Sequence, residues 1–131
     1  MAATNSTYYP KVRCAMGNAT TAQVNATKTI VKAKAGKTIK VVDGWLRALG
    51  GNAATATSVD IEDTTATTAA FKIAVGGLTE NAVARVGLAT HSTNTGIGTA
   101  LPKGAGIQIS ATGTLATATS VDYCVFYIMA D

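Results

Sequence analysis

Four stretches of this sequence carry residue types that can do chemistry. Val31-Lys32-Ala33-Lys34-Ala35-Gly36-Lys37-Thr38 ends in the Gly-Lys-Thr of a phosphate-binding loop. That loop needs a glycine where Val31 stands, a strand before it and a helix after it. Here the triplet runs into Ile39-Lys40-Val41-Val42, which reads as a strand, so phosphate binding is not expected. Gly96-Ile97-Gly98 lacks the third glycine and the following helix of a dinucleotide fingerprint. His91 is the only histidine and stands in the polar run Thr90-His91-Ser92-Thr93-Asn94-Thr95, with no flanking nucleophile motif. Asp60, Glu62 and Asp63 supply carboxylates, but no glycine-turned calcium loop follows them. They read as an exposed acidic edge. No catalytic residue, metal ligand or cofactor site is expected, and the chain reads as non-enzymatic.

The remaining residues must therefore be read for the elements they build. Ala (25) and Thr (22) make up about a third of the 131 residues, with 13 Gly and only 2 Pro. No apolar run is long enough to span a membrane as a helix. The dominant period is two. Val59-Asp60-Ile61-Glu62, Phe71-Lys72-Ile73 and Ile107-Gln108-Ile109-Ser110 alternate large apolar with polar residues. Such alternation turns one strand face to a core and the other to water. Strands are predicted near 10–16, 28–34, 38–49, 55–62, 69–76, 82–89, 106–111 and 119–129, with a weak one at 97–101. Glycine-rich turns fall between them. Asp43-Gly44 inside an apolar run predicts a bulge. Residues 78–88 could instead form a turn or two of helix. The expected fold is all-β: an antiparallel β-sandwich or jelly roll of about eight strands over residues 10–131, with an extended arm at 1–9.

Several residues point to partners. Thr4, Tyr8, Tyr9 and Pro10 close a polar arm whose tyrosines suit a contact with another chain. Lys28, Lys32, Lys34, Lys37 and Lys40 place five lysines within 13 residues. They form either a solvated strand face guarded against edge pairing or a stripe that meets an acidic protein surface. Direct nucleic-acid binding is not expected, because neither an arginine cluster nor an aromatic platform accompanies them. The last strand is apolar on both faces. Val121, Tyr123, Val125 and Tyr127 make one face; Cys124, Phe126 and Ile128 make the other, so the strand is either central in the fold or meets another subunit through that face. Trp45 reads as a core anchor, with a surface contact or sugar platform as the rival. Cys14 and Cys124 are expected as buried, reduced thiols. The first ten residues lack the pattern of a signal peptide, so synthesis in the cytoplasm is expected.

Ala54-Thr55-Ala56-Thr57-Ser58-Val59-Asp60 recurs identically at 116–122. The repeat is either coincidence in an Ala/Thr-rich chain or the same strand start in two halves of a sandwich, as two Greek keys would supply.

The polar arm, AGKTIKVVDGWLRALGG, ATATSVDIED, GTALPKGAGIQISATGTLATATSVDY and the closing YCVFYIMAD together resemble the small jelly-roll decoration, or cement, proteins of tailed-bacteriophage capsids. The likeness spans most of residues 25–131 and rests on style, size and strand order. It implies a structural virion protein that binds the outer surface of a capsid as a dimer or trimer and bridges neighbouring major capsid subunits. It assigns no individual residue. A phage tail or fibre accessory module, with or without carbohydrate binding, is the alternative.

Overall fold

The computed structural model describes residues 11–87 and 90–131. Thr4, Tyr8, Tyr9 and Pro10 lie outside the described residues. The chain is almost entirely β. Its eight principal strands are β1 (Arg13–Thr20), β2 (Lys28–Val31), β3 (Thr38–Leu49), β5 (Ser58–Asp63), β6 (Ala69–Ala74), β7 (Val83–Arg85), β9 (Ile107–Thr112) and β11 (Ser120–Ala130). Three two-residue strands join them: β4 (Ala53–Ala54), β8 (Ser92–Thr93) and β10 (Ala116–Thr117). Among the described residues, one short α-helix, α1 (Thr21–Ala26), links β1 to β2, and a single 3-10 turn spans Val75–Gly77. Among the described residues, no helix is long and apolar enough to cross a membrane.

Two large antiparallel sheets form, with β4 and β10 making a third of two strands. Sheet A has the order β1-β11-β3-β7 and sheet B the order β2-β9-β5-β6-β8. Counting only the principal strands, the first pairs with the eighth, the second with the seventh, the third with the sixth and the fourth with the fifth. The chain is thus one long hairpin whose rungs fall alternately in the two sheets. Advancing every strand by four positions converts the order of sheet A into that of sheet B.

The repeated heptapeptide sits on this relation. Its two copies lead into β5 and β11, the fourth and eighth strands. Ala54 pairs directly with Ala116 where β4 meets β10. Both copies make the same three-residue turn. The Ala56 N–H donates to the Ala54 carbonyl at 2.8 Å, and the Ala118 N–H to the Ala116 carbonyl at 2.9 Å. The central residues, Thr55 and Thr117, both have positive φ, 73° and 71°. The repeat is therefore structural equivalence between the two halves. Both copies hold a β-branched residue in a φ that it adopts only under strain, at equivalent places in the strand order.

The sheets meet through their inner faces. Ile39, Val41, Leu46, Val121 and Val125 come from sheet A; Val59, Ile61, Phe71, Ile73, Ile107 and Ile109 come from sheet B. All are essentially inaccessible to water. The predicted bulge in β3 is present. The register passes from Phe126–Asp43 to Tyr127–Val41, leaving Val42 without a partner. One extra residue restores the inward direction, so Ile39 and Val41 before the bulge, and Gly44, Leu46 and Ala48 after it, all face the core.

The helix departs from expectation, since none was read at 21–26. Thr20 caps it: its hydroxyl accepts from the Gln23 N–H at 3.1 Å, and the Gln23 side chain accepts from the Thr20 N–H at 2.9 Å. This reciprocal pair is a capping box. Only Val24 of the helix is buried. Asn25 fastens it by donating to the Leu115 carbonyl at 3.0 Å and accepting from its N–H at 2.7 Å. Thr20→Ala is expected to lower unfolding stability by about 1 kcal/mol in urea titrations, with Thr20→Ser near wild type.

Candidate functional site

The outer faces of the two sheets differ: one is polar, the other mixes apolar and charged side chains. On sheet B the outward side chains of the central strands are polar and bonded to one another. Asp60 accepts from Ser58 at 2.5 Å and from Thr112 at 2.6 Å, and lies 3.9 Å from the Lys72 ammonium. Gln108 donates to Glu62 at 2.6 Å. Asp60 is only 3% exposed. The expected acidic edge is thus corrected: β5 is flanked on both sides by β9 and β6, and its carboxylates belong to a closed hydrogen-bond layer. Asp63 is turned inward and organises the β5–β6 loop.

Sheet A adds large apolar side chains to its polar ones. Outward residues alternate along β1 as Cys14, Met16 and Asn18, and along β11 as Asp122, Cys124, Phe126 and Ile128. The register sets Cys14 beside Phe126, Met16 beside Cys124, and Cys124 beside Trp45 on β3. Met16 is 67% exposed, and Val12, just ahead of β1, is 61% exposed. Phe126, Ile128 and Trp45 are half-buried. Val83 on β7 extends the apolar surface towards the far edge. Ion pairs border it. Arg47 meets Asp122 at 2.6 Å and Arg85 meets Asp43 at 3.6 Å. Burial raises the Asp122 pKa, but hydrogen bonds from Asn18 and Arg47 and the Arg47 charge more than offset this and leave it lowered.

Trp45 corrects the expectation of a core anchor. The bulge at Val42 turns it outward, where the Arg47 guanidinium lies 6.0 Å from the ring centroid. The last strand behaves as read: Val121, Tyr123, Val125 and Tyr127 face the core, while Phe126 and Ile128 share the outer face with Cys124.

The lysines do not form one strand stripe. Lys28 opens β2, where it donates to the Asn18 carbonyl at 3.0 Å and lies 5.7 Å from the Tyr123 ring centroid. Lys32, Lys34 and Lys37 occupy the loop between β2 and β3, because β2 ends at Val31. Lys37 pairs with Asp131 at the end of β11. That hydrogen bond and charge hold the Asp131 pKa below its ordinary value, with Lys103 and Lys34 adding to the effect. Lys40 lies on the outer face of β3 opposite Ile128. A shallow depression of about 320 Å³ lies there, lined by Thr38, Lys40, Ile128, Ala130 and Asp131. β1 also begins at this end, with Arg13 opposite Tyr127. Lys34, Lys37, Lys40 and Lys103 thus gather where the outer apolar face ends, and Lys28 stands apart from them.

Neither His91 nor the Gly-Lys-Thr triplet forms a centre. Thr38 opens β3 directly. His91 is half-buried over the turn at 75–77, where its carbonyl accepts from the Ala74 N–H at 2.8 Å. Among the described residues, no three His, Cys, Asp or Glu side chains converge as metal ligands would. Compared with known proteins, the chain matches no family model, no curated protein and no solved structure.

Proposed function

We propose that this protein is a capsid decoration protein, which docks the outer face of sheet A, together with the adjoining lysines, onto a protein shell and bridges neighbouring major capsid subunits. The observation that carries the reading is the asymmetry of the two outer faces. The outward face of sheet A sets Met16, Phe126, Ile128 and Trp45 among the paired Arg47–Asp122 and Arg85–Asp43 groups and so leaves apolar area in water, and such faces mark contacts with other proteins. The opposite sheet satisfies its polar groups internally. The nested strand order fits a jelly roll, and the resemblance of the sequence to phage cement proteins supplies the shell as the partner. Repetition over many sites converts modest affinity into stable coating. The basic end suits acidic shell patches and makes attachment sensitive to salt.

Titration onto expanded, undecorated phage shells, read by co-sedimentation and electron microscopy, tests this. Met16→Asp and Phe126→Asp are expected to weaken shell binding at least tenfold while their circular dichroism spectra stay native. Lys34→Glu combined with Lys40→Glu is expected to remove most of the salt dependence. Occupancy that ignores all four substitutions sinks the proposal. Deletion of residues 1–9 tests whether the arm takes part; full occupancy without it limits docking to the sandwich.

The outward Trp45 and Arg47 favour one second reading, a carbohydrate-binding accessory module of a tail or fibre. A sugar-dependent change in Trp45 fluorescence, with no shell binding, would select it.

A further inference from the structure

Cys14 and Cys124 are 110 positions apart, yet their Sγ atoms lie 3.4 Å from each other on the outer face of sheet A. Cys14 is on β1 and Cys124 on β11. They are diagonal neighbours, since Cys14 pairs with Phe126 and Cys124 with Met16. Both point to the same side. The expectation of two buried thiols holds only for Cys124; Cys14 is exposed. Among the described residues, β1 is an edge strand bonded only to β11, so it can make the small shift that closes a bond between the two sulfurs.

We propose that Cys14 and Cys124 form a dithiol modification site, which a low-molecular-weight disulfide such as oxidised glutathione converts into an intrachain disulfide that staples β1 to β11. The order of events follows from exposure. The Cys14 thiolate attacks one sulfur of oxidised glutathione. A Cys14–glutathione bond forms, the glutathione disulfide breaks, and one glutathione thiolate leaves. Cys124 then loses its proton to solvent and attacks the Cys14 Sγ, expelling the second glutathione. Two protein thiols are oxidised and one glutathione disulfide is reduced to two thiols, which take up the protons released. Burial, followed by the hydrogen bond and charge of Cys14 and the charge of Asp43, pushes the Cys124 thiol up to about 11. Cys124 is therefore the resolving and not the attacking sulfur. The bond joins the first principal strand to the last, so it closes nearly the whole chain into a loop and restricts the unfolded state strongly.

The test uses the full chain, purified reduced and then incubated with oxidised glutathione. Intact mass is expected to fall by two hydrogens, free thiols to vanish, and non-reducing electrophoresis to show a monomer. Cys124→Ser is expected to hold a glutathione adduct at Cys14, whereas Cys14→Ser leaves Cys124 unmodified in the folded protein. The melting midpoint of the oxidised wild type is expected to rise by on the order of 10 °C and to return on reduction. A lasting adduct on the wild type, a disulfide-linked dimer, or free thiols that persist overturns the site. An unchanged or lowered midpoint overturns the staple.

Discussion

Replacing Asp63 by alanine is expected to remove about 3 kcal/mol of unfolding stability, measured by urea titration at neutral pH. The side chain is fully buried, 0% exposed, at the end of β5. Its two oxygens hold the whole β5–β6 loop. The Thr65 N–H donates at 2.9 Å and the Thr67 N–H at 3.1 Å. The Thr68 N–H and the hydroxyls of Thr65 and Thr67 donate as well. Alanine leaves these donors without acceptors, and part of the cost returns as the loop opens to water. Asn keeps one acceptor oxygen but turns an amide NH2 towards N–H groups that also donate. Asp63→Asn is therefore expected to cost nearly as much as Asp63→Ala, about 2–3 kcal/mol. An asparagine variant as stable as wild type would show that shape and not charge organises the loop.

The same carboxylate gives a pH signature. Burial raises its pKa, but the hydrogen bonds from the Thr65 side chain and from the Thr68, Thr65 and Thr67 backbones outweigh burial and hold it below the ordinary 3.8. A carboxylate with a depressed folded-state pKa binds protons more readily when unfolded. Its contribution is complete above the unfolded value and is lost as pH falls through the folded one. Wild-type stability is expected to fall as pH drops through the ordinary carboxylate range and below it. Asp63→Asn should flatten that slope without abolishing it, because Asp122 is shifted in the same direction.

How much of this was legible depended on the physical signal each element carries. β3 occupies 38–49 as expected, since it combines a long apolar run with a bulge marked by Asp43-Gly44. β1 does not follow its expected bounds, 10–16. Gly17, beyond the expected end of this strand, lies inside it opposite Tyr123, whose ring leaves no room for a side chain there. A Cβ there would come within 2.7 Å of the Tyr123 hydroxyl. α1 carried the Thr20-x-x-Gln23 capping signature, yet only one buried residue, so no helical period accompanied it. The outer apolar face was legible in β11, where Phe126 and Ile128 break the alternation of apolar and polar. It was not legible in β1, because Cys14 and Met16 become outward only through their pairing with β11. The same holds for Lys103, which joins Lys34 and Lys37 through the nested strand order and not through sequence spacing. Trp45 was misplaced because one bulged residue reverses the facing of everything after it.

That bulge also sets the second large expected effect, Gly44→Ala. Gly44 is the first inward residue after Val42, and two neighbours occupy the space of its missing side chain. A Cβ would lie 2.8 Å from the Cys124 carbonyl oxygen and 2.8 Å from Cε1 and Cζ of Phe71. Phe71 belongs to sheet B, so its ring packs across the core against the Gly44 backbone. The carbonyl belongs to β11, the central partner of β3, and cannot retreat without disturbing that pairing. Substitution is therefore expected to cost about 2–3 kcal/mol, at the upper end of overpacking penalties. Phe71→Leu relieves one of the two clashes. Combined with Gly44→Ala, it should lose less stability than the two single changes added together, by about 1 kcal/mol in a double-mutant cycle. Full rescue would mean that the ring alone sets the glycine. Additive losses would mean that the Cys124 carbonyl does, and that sheet spacing at this point is fixed by backbone alone.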